Sequence, residues 1–258
     1  MKNIFDLNGK VAVVTGANSG LGLDAAISYA EHGAHVALLD KNINNLTVIK
    51  HKIEQLGKKA ISIQCDVSNE DSIKNAVQTI IEQFGNIDIL LNNAGIGVAG
   101  GIESLTVEEW DRCFNTNIKS MYLLSKYIVP VMKKQNYGKI INISSVNAIV
   151  ADKNDLFIRH AYNSSKAAVL GLTTPMACSY ARYGITVNAI GPGLFETGLT
   201  QNTLFKSEEF LNSYNTLCPA NRPAQKGELN GTILYLSSDA SSYTQGQFII
   251  VDGGATLV

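Results

Sequence analysis

Cysteines are scarce in this sequence, and their scarcity argues against a disulfide-rich protein and against a protein with a cysteine-ligated metal. The chain has only four in 258 residues, namely Cys65, Cys113, Cys178 and Cys218. They are far apart and lack the spacing of a metal site or of a disulfide framework, so we expect reduced and mostly buried thiols. A catalytic cysteine remains an alternative, although no base lies near any of the four in sequence.

Charge and long apolar runs are in short supply too. Charged residues make up 17% of the chain and the net charge is -1, so nothing favours nucleic acid or an anionic membrane surface as a partner. No apolar run approaches the roughly 18 residues that cross a bilayer, and residues 1–10 lack the apolar core of a signal peptide. We therefore expect a cytoplasmic protein. With 45% hydrophobic residues and no linker, we also expect one domain over residues 1–258.

A glycine-rich turn between an apolar segment and a helical pattern is the most informative stretch that is present. Residues 11–15 read Val-Ala-Val-Val-Thr, and Gly16, Gly20 and Gly22 follow. Gly16 allows a sharp turn, and Gly20 and Gly22 carry no side chain where a diphosphate must approach. The helix that begins there directs its free N–H groups and the positive end of its dipole at the anion. The turn predicts a phosphate-binding site, with an ordinary strand-to-helix turn as the alternative.

Strand-like and helix-like segments alternate along the chain. The predicted strands are residues 11–15, 35–40, 60–65, 88–91, 139–143, 185–190 and 247–251. Apolar strands separated by helices predict an α/β fold, a single doubly wound Rossmann-type domain with a seven-stranded parallel sheet. Capping boxes of Ser68 with Asp71 and of Thr106 with Glu109 predict the start of two helices, the second running toward Lys134.

Polar residues gather at the predicted carboxyl ends of the strands, where ligands bind in such sheets. They are Asp40, Asp66, and residues 92–95, 142–145 and 191–193. A carboxylate at Asp40 can accept hydrogen bonds from both hydroxyls of an adenosine ribose and would repel a 2′-phosphate, which favours NAD over NADP. Lys41, the next residue, favours NADP to a small extent, because a basic side chain could still contact that phosphate.

Tyr162 and Lys166 are four residues apart, which places them on one face of a predicted helix. A free phenol has a pKa of about 10 and is a poor base at neutral pH, but a nearby ammonium favours the phenolate. The pair is therefore a candidate acid and base. The alternative is a tyrosine and a lysine on an exposed helix, and it would also have to account for Ser144, Ser145 and Asn117.

Taken together, these motifs resemble the short-chain dehydrogenase/reductase family over essentially the whole chain. They are Thr-Gly-x-x-x-Gly-x-Gly at 15–22, Asn-Asn-Ala-Gly at 92–95, Asn117, Ser145, Tyr162-x-x-x-Lys166, Pro192-Gly193-x-x-x-Thr197 and Asp252-Gly253-Gly254. The resemblance implies that Tyr162 exchanges a proton with the substrate oxygen while Ser145 hydrogen-bonds that oxygen. It also implies that Lys166 binds the nicotinamide ribose and lowers the pKa of Tyr162, and that Asn117 holds a water of the proton relay.

The resemblance also implies which residues contact the cofactor. Asp66 and Val67 would contact adenine, and residues 192–197 would hold the nicotinamide end. The full expected set is Gly16, Asn18, Ser19, Gly20, Leu21, Gly22, Asp40, Asp66, Val67, Asn93, Ala94, Gly95, Tyr162, Lys166, Pro192, Gly193 and Thr197. The implied chemistry is hydride transfer, carried by the cofactor, at a carbon that bears an alcohol or a carbonyl.

Two segments near this set are candidates for contact with a substrate. Ser145 and Tyr162 are 17 positions apart, more than the family commonly shows, so we expect an enlarged loop at 147–160. In it Arg159 and His160 could meet a carboxylate or a polyol, or could be solvated loop residues. Residues 194–218 carry scattered aromatics and are expected to form a lid, a pair of core helices, or both.

We therefore expect an NAD-preferring oxidoreductase of a small polar substrate, with Ser145, Arg159 and His160 as the substrate contacts. A sugar, sugar acid or polyol is favoured, because residues 159–162 and 191–197 resemble the gluconate 5-dehydrogenase-like branch. A 3-oxoacyl-[acyl-carrier-protein] reductase and a non-catalytic NAD-binding regulatory sensor are the alternatives. The resemblance also implies a homodimer or homotetramer formed through the helices that contain Asn117 and Tyr162.

Overall fold

Seven strands pair in one parallel sheet in the computed structural model, which describes residues 3–151, 157–198, 200–201 and 204–258. The strands are β1 (Val11–Thr15), β2 (His35–Asp40), β3 (Ala60–Gln64), β4 (Ile89–Asn92), β5 (Gly138–Ile143), β6 (Ile185–Pro192) and β7 (Phe248–Val251). Their order in the sheet is β3-β2-β1-β4-β5-β6-β7. The order reverses between β1 and β4, so the predicted doubly wound, Rossmann-type sheet is confirmed.

Helices cover both faces of this sheet. In the described residues they are α1 (Gly20–Glu31), α2 (Leu46–Gln55), α3 (Glu70–Phe84), α4 (Val107–Phe114), α5 (Ser120–Gln135), α6 (His160–Tyr180), α7 (Glu208–Leu217) and α8 (Asn230–Ser237). Alternate residues of β1 face two different cores: Ala12 and Val14 pack in one, Val11 and Val13 in the other. Burial on both faces explains why the first four positions of this strand are apolar. No helix in these ranges is both long and apolar enough to span a membrane.

One of the two predicted capping boxes is correct and the other is wrong. Thr106 caps α4, with its side chain accepting from the Glu109 amide and the Glu109 side chain accepting from the Thr106 amide. The start of α3 is instead capped by Asn69, whose side chain accepts from the Ser72 amide at 2.8 Å. The hydroxyl of Ser68 donates to Asp66 at 2.6 Å and is thereby diverted from the role of cap.

The long helix expected after Thr106 is interrupted by a π-helical segment at Asn115–Lys119, between α4 and α5. The apolar pattern did not predict this interruption, since only one of the five residues, Ile118, is apolar. Segments of this kind occur frequently at functional sites, and this one contains the fully buried Asn117.

The segment 194–218 contains α7, and this helix contacts the chain that precedes α6. The ring of Phe210 in α7 lies 5.0 Å from that of Phe157, and 6.2 Å from that of Tyr214. The two candidate substrate segments therefore touch each other. Residues 152–156 of the expected loop, and residues 199 and 202–203 of the expected lid, lie outside the described residues.

Candidate active site

A cavity of about 960 Å³ lies at the carboxyl ends of the strands. Most of the predicted site residues line it: Gly16, Ser19, Gly20, Leu21, Asp40, Asp66, Val67, Asn93, Ala94, Gly95, Ser145, Tyr162, Lys166, Pro192, Gly193 and Thr197. Of the described residues that the sequence predicts for the site, Asn18, Gly22, Asn117, Arg159 and His160 are not on this wall. The structure thus brings the phosphate-binding turn, Asp40 and the Tyr162–Lys166 pair into one space.

The glycine turn is built for close approach of its backbone. Gly16 and Gly20 have φ values of +66° and +56°, a region that favours glycine. A Cβ at Gly22 would lie 2.3 Å from the carbonyl oxygen of Gly16, so Gly22 allows α1 to pack against the turn. Ser19, at the start of α1, makes no side-chain capping hydrogen bond, and the first turn of α1 holds no acidic residue. The first N–H groups of α1 therefore suit a bound phosphate.

Thr15 is a site residue that the sequence reasoning did not single out. Its hydroxyl oxygen accepts from the amides of Asn93 and Ala94 at 2.9 and 3.0 Å. In return the Asn93 side chain donates to the carbonyl oxygens of Thr15 and Gly16 at 2.9 and 3.3 Å. These bonds join the phosphate-binding turn to the loop after β4. In the sequence Thr15 stood out as the first residue of the Thr-Gly-x-x-x-Gly-x-Gly motif and as the polar end of an otherwise apolar strand, but neither signal showed these bonds.

Asp40 and the neighbouring Lys41 each have a partner within the protein. One carboxylate oxygen of Asp40 accepts from the Asn18 amide at 3.1 Å, so Asn18 supports Asp40 from behind the cavity wall. The Lys41 ammonium lies 2.9 Å from the Asp66 carboxylate. The hydrogen bond from Ser68 and the charge of Lys41 hold the pKa of Asp66 at about 2. Lys41, the basic residue that could contact a 2′-phosphate, thus forms an ion pair with Asp66.

Ser145, Tyr162 and Lys166 meet where β5 ends and α6 begins. The Ser145 hydroxyl donates to the side-chain oxygen of Asn147 at 3.3 Å and accepts from the Asn147 amide at 3.1 Å, and it is near enough to the Tyr162 phenol to act on its pKa. The Lys166 ammonium donates to the carbonyl oxygen of Ile143 at 2.9 Å and lies 5.7 Å from the centre of the Tyr162 ring. The Ser144 hydroxyl is used elsewhere, since it donates to the backbone oxygen of Lys166 at 2.8 Å. This bond distinguishes the two serines as sequence spacing could not.

Burial is the main influence on the two titrating groups. It raises the pKa of Tyr162, while the hydrogen bond from Ser145 and the positive charge of Arg159 act to lower that pKa. Burial also lowers the pKa of Lys166 to about 8. A buried phenol and a buried amine whose pKa values are shifted in this way, side by side in a cleft, are typical of an acid and base site.

Asn117 lies behind the wall and connects it to the loop after β4. Its side-chain oxygen accepts from the Ile96 amide at 2.8 Å, and its side-chain nitrogen donates to the Ile96 carbonyl at 2.9 Å. A Cβ at Gly95 would lie 3.3 Å from the Asn117 oxygen and 3.4 Å from the Lys166 nitrogen. Gly95 therefore lets this loop approach both residues closely.

Arg159 and His160 have different surroundings. Nδ1 of His160 accepts from the Ile102 amide at 3.0 Å, and its backbone amide donates to the Gly100 carbonyl at 3.2 Å. His160 therefore fixes the loop that precedes α4. Arg159 is half-buried at the start of α6, and nothing in the described part of the chain forms a hydrogen bond or ion pair with its guanidinium.

The residues of this cavity fit a nicotinamide dinucleotide. An uncapped helix N-terminus follows a glycine turn, as a diphosphate requires, and a carboxylate stands at the end of the next strand, as a ribose requires. A volume of about 960 Å³ also lies near the upper end of the range of roughly 300–1,000 Å³ found for ligand pockets.

Known proteins are similar to this chain in sequence and in fold. The family described as Enoyl-(Acyl carrier protein) reductase matches residues 16–256. The chain is 36% identical over 255 residues to the gluconate 5-dehydrogenase of Gluconobacter oxydans (strain 621H), across 99% of this chain and 98% of that protein. It is 36% identical over 251 residues to the 3-oxoacyl-[acyl-carrier-protein] reductase of Thermotoga maritima, across 97% and 99%. The solved gluconate 5-dehydrogenase from Burkholderia cenocepacia J2315, in complex with NADP and tartrate, is 32% identical and has a TM-score of 0.93, across 99% and 98%.

Proposed function

This chain belongs to the short-chain dehydrogenase/reductase family of nicotinamide-dependent oxidoreductases that act on CH–OH groups, and we propose that it interconverts the alcohol and ketone of a sugar acid or a related polyol, with NAD preferred. The observation that carries this proposal is the single cavity that has Asp40 at one end and Ser145, Tyr162 and Lys166 at the other. Similarity to gluconate 5-dehydrogenases at 36% and 32% identity supports the substrate class.

In the proposed reaction Tyr162 takes the proton from the substrate hydroxyl and returns it in the reverse direction. The Ser145 hydroxyl, which is near enough to the phenol to act on its pKa, holds the substrate oxygen beside Tyr162. Lys166, buried at 3% exposure and anchored to Ile143, holds the ribose next to the reacting carbon. When bound, the nicotinamide cofactor supplies the hydride acceptor or donor.

A carboxylate-bearing substrate is supported by Arg159. Its guanidinium is half-buried, forms no ion pair with the described residues and is close enough to Tyr162 to act on that phenol's pKa. Arg159 does not line the cavity itself, so it can pair only with a carboxylate that extends past Tyr162, through charge-assisted hydrogen bonds. His160, also expected to contact the substrate, supports the site through the Ile102 amide instead.

The preference for NAD is argued from Asp40 and Lys41. Asp40 lines the cavity at the end of β2 and would repel a 2′-phosphate, and Lys41 is paired with Asp66 at 2.9 Å. We expect Asp40→Asn to weaken NAD binding and to reduce the preference for NAD over NADP, because the repelling charge is lost. Lys41→Ala should leave that preference nearly unchanged. Titration of both variants with both cofactors tests the assignment, and a wild-type preference for NADP would overturn it.

The substrate proposal is tested by initial rates with NAD and NADP over a panel of sugar acids, uncharged polyols and a 3-oxoacyl thioester. Turnover of a sugar acid is expected, and Arg159→Gln should raise the KM for that acid while leaving the KM of an uncharged polyol in place. Equal effects of this variant on both substrates would contradict the role of Arg159.

A 3-oxoacyl-[acyl-carrier-protein] reductase is the second candidate. It is favoured by the relative from Thermotoga maritima, which matches this chain at the same 36% identity as the gluconate 5-dehydrogenase. The net charge of -1 offers no basic excess that would attract an acidic carrier protein. Turnover of the thioester with NADPH, in the absence of any sugar-acid activity, would make this candidate the correct one.

We propose that the protein is a cytoplasmic homodimer or homotetramer. Its four cysteines are free thiols, as expected in a reducing compartment. Large apolar side chains are exposed on and beside α4 and α5, among them Ile102, Val107 and Tyr122 at 68%, 71% and 52%. Exposed apolar groups of this kind suit a subunit interface. Light scattering after size-exclusion chromatography measures the subunit number, and a monomer would contradict the proposal.

A further inference from the structure

Three buried polar side chains lie directly behind the candidate active site. They are Cys113 in α4, Asn117 in the π-helical segment and Ser165 in α6, and each has 0% exposure. Ser165 stands between Tyr162 and Lys166 in the sequence. Unlike those two it does not line the cavity, although as the third residue after Tyr162 it lies near the same face of α6.

The hydrogen bonds of Asn117 depend on Ser165. The Asn117 amide has two N–H donors. Its nitrogen lies 2.9 Å from the Ile96 carbonyl oxygen, 3.0 Å from the Ser165 hydroxyl and 3.4 Å from the Cys113 sulfur. The two shorter contacts account for both donors. One donor therefore holds the loop after β4 and the other holds α6.

The hydroxyl of Ser165 is fully used as well. It donates to the backbone oxygen of Tyr162 at 2.8 Å and accepts from Asn117. The Cys113 thiol supplies a second donor, at 3.6 Å. Burial raises the pKa of the Cys113 thiol, which keeps its proton in place for this bond. One donor and two accepted bonds complete the capacity of a hydroxyl.

We propose that Ser165, supported by Cys113, is a positioning residue that holds the Asn117 side chain between Ile96 and α6. It thereby fixes the distance between the loop that lines the cavity and the helix that carries Tyr162 and Lys166. Ser165 acts through Asn117 and touches no reacting atom. The kinetic part of this proposal rests on the proposed oxidoreductase function, whereas its structural part does not.

Replacement of Ser165 by alanine should reduce turnover more than binding. Ser165→Ala leaves one Asn117 N–H with only the Cys113 sulfur as acceptor, so the amide is free to shift. We expect kcat to fall about tenfold, the scale that corresponds to the loss of one buried hydrogen bond, with the KM for cofactor nearly unchanged. Cys113→Ala should produce a smaller loss, and Cys113→Ser, which retains a donor, should recover part of it.

A double-mutant cycle decides whether Ser165 acts through Asn117. In an Asn117→Ala background, Ser165→Ala should cause little further loss of kcat, because its target is already absent. Losses that multiply in the double variant would overturn the proposal. The matched control is Ser125→Ala, which removes a hydroxyl that is also buried but has no hydrogen-bond partner among the described residues, and it should leave kcat unchanged.

Hydrogen exchange gives a readout that does not depend on turnover. The Ile96 amide donates to Asn117, so it should be protected in the wild type and should exchange faster in Ser165→Ala. Peptides that cover residues 94–99 and 115–119 report this, with Ser125→Ala again as the control. Unchanged exchange in Ser165→Ala would overturn the proposal even if the enzyme turns over no substrate in the panel. Faster exchange in Ser165→Ala, together with a wild type that turns over no substrate, would support the positioning role and contradict only the proposed function.

Discussion

At the scale of single residues, the pKa of the Tyr162 phenol is subject to opposing influences. Burial favours the neutral form, whereas the Ser145 hydrogen bond and the Arg159 charge favour the phenolate. Alcohol oxidation needs the phenolate as base, so burial alone would move activity to higher pH. The Tyr162 side chain is only 8% exposed, which raises its pKa. The neighbours that stabilise the negative charge of the phenolate oppose this rise.

Removal of the hydroxyl should separate binding from chemistry. We expect Tyr162→Phe to bind NAD as the wild type does and to lose roughly 10²–10⁴-fold in kcat, the usual contribution of a positioned acid and base. Calorimetric titration with NAD and initial rates with the best substrate of the panel check the two halves. Turnover at the wild-type rate would contradict the role of Tyr162.

The pH profile tests the influence of Arg159 on Tyr162. Loss of its positive charge should raise the pKa of Tyr162 further, so Arg159→Gln should move the rising limb of alcohol oxidation to higher pH. Arg159→Lys retains the charge and serves as the control. The measurement is kcat/KM against pH with an uncharged polyol, so that carboxylate binding does not enter. A shift to lower pH would contradict the assignment.

At the scale of elements, the turn between β1 and α1 is the most constrained junction of the site. We expect Gly22→Ala to lower the free energy of unfolding by about 1–3 kcal/mol, because its Cβ would lie 2.3 Å from a backbone oxygen and 2.5 Å from the Asn93 side chain. NAD binding should weaken in parallel, since Asn93 braces the turn.

Gly171, inside α6, is the matched control for this substitution. A Cβ there would meet nothing within 4 Å, so Gly171→Ala should stabilise the protein by about 0.5–1 kcal/mol through helix propensity. Urea denaturation of both variants provides the comparison. Equal effects of the two substitutions would show that crowding at Gly22 is unimportant.

The starts of α3 and α4 show how far local patterns can be trusted. Thr106 and Glu109 form the predicted box, with a hydrogen bond of 3.1 Å in each direction. Ser68 had the same local signature but bonds Asp66, and Asn69 takes its place at the helix start. Whether a side chain caps a helix depends on its other partners, which the pattern does not show.

At the scale of the whole molecule, a buried lysine lies at the amino end of β5, the end opposite to the one that leads to Ser145. Lys139, near the start of β5, is only 2% exposed, and burial lowers its pKa to about 8. An unfolded lysine has a pKa of about 10.4, so the unfolded chain binds more protons between these two values. The contribution of Lys139 to stability therefore increases as pH rises from 8 toward 10.

Replacement of this lysine should change the pH dependence of stability. We expect Lys139→Met to be more stable than the wild type near pH 7, by up to roughly 3 kcal/mol, because no buried charge remains. The difference should shrink toward pH 10. Denaturation at several pH values measures it, with the exposed Lys134→Met as control. A constant difference over this range would contradict a neutral Lys139 at high pH.

Sequence alone determined the sheet, the glycine turn and the face shared by Tyr162 and Lys166. These features depend on periodicity and on chain order, which are local properties that any reader of the chain can follow. It also placed Asp40 and Ser145 at strand ends, because parallel strands bring their carboxyl ends to one edge.

Only the tertiary structure decided how these residues are held. The motifs did not show that Lys41 pairs with Asp66 or that Ser165 accepts a hydrogen bond from Asn117. They also did not show that Arg159 and His160 have different surroundings. Each depends on side chains that are distant in sequence, or on which neighbour competes for one hydrogen bond. Such contacts follow from the packing of whole elements, so local periodicity carries no information about them.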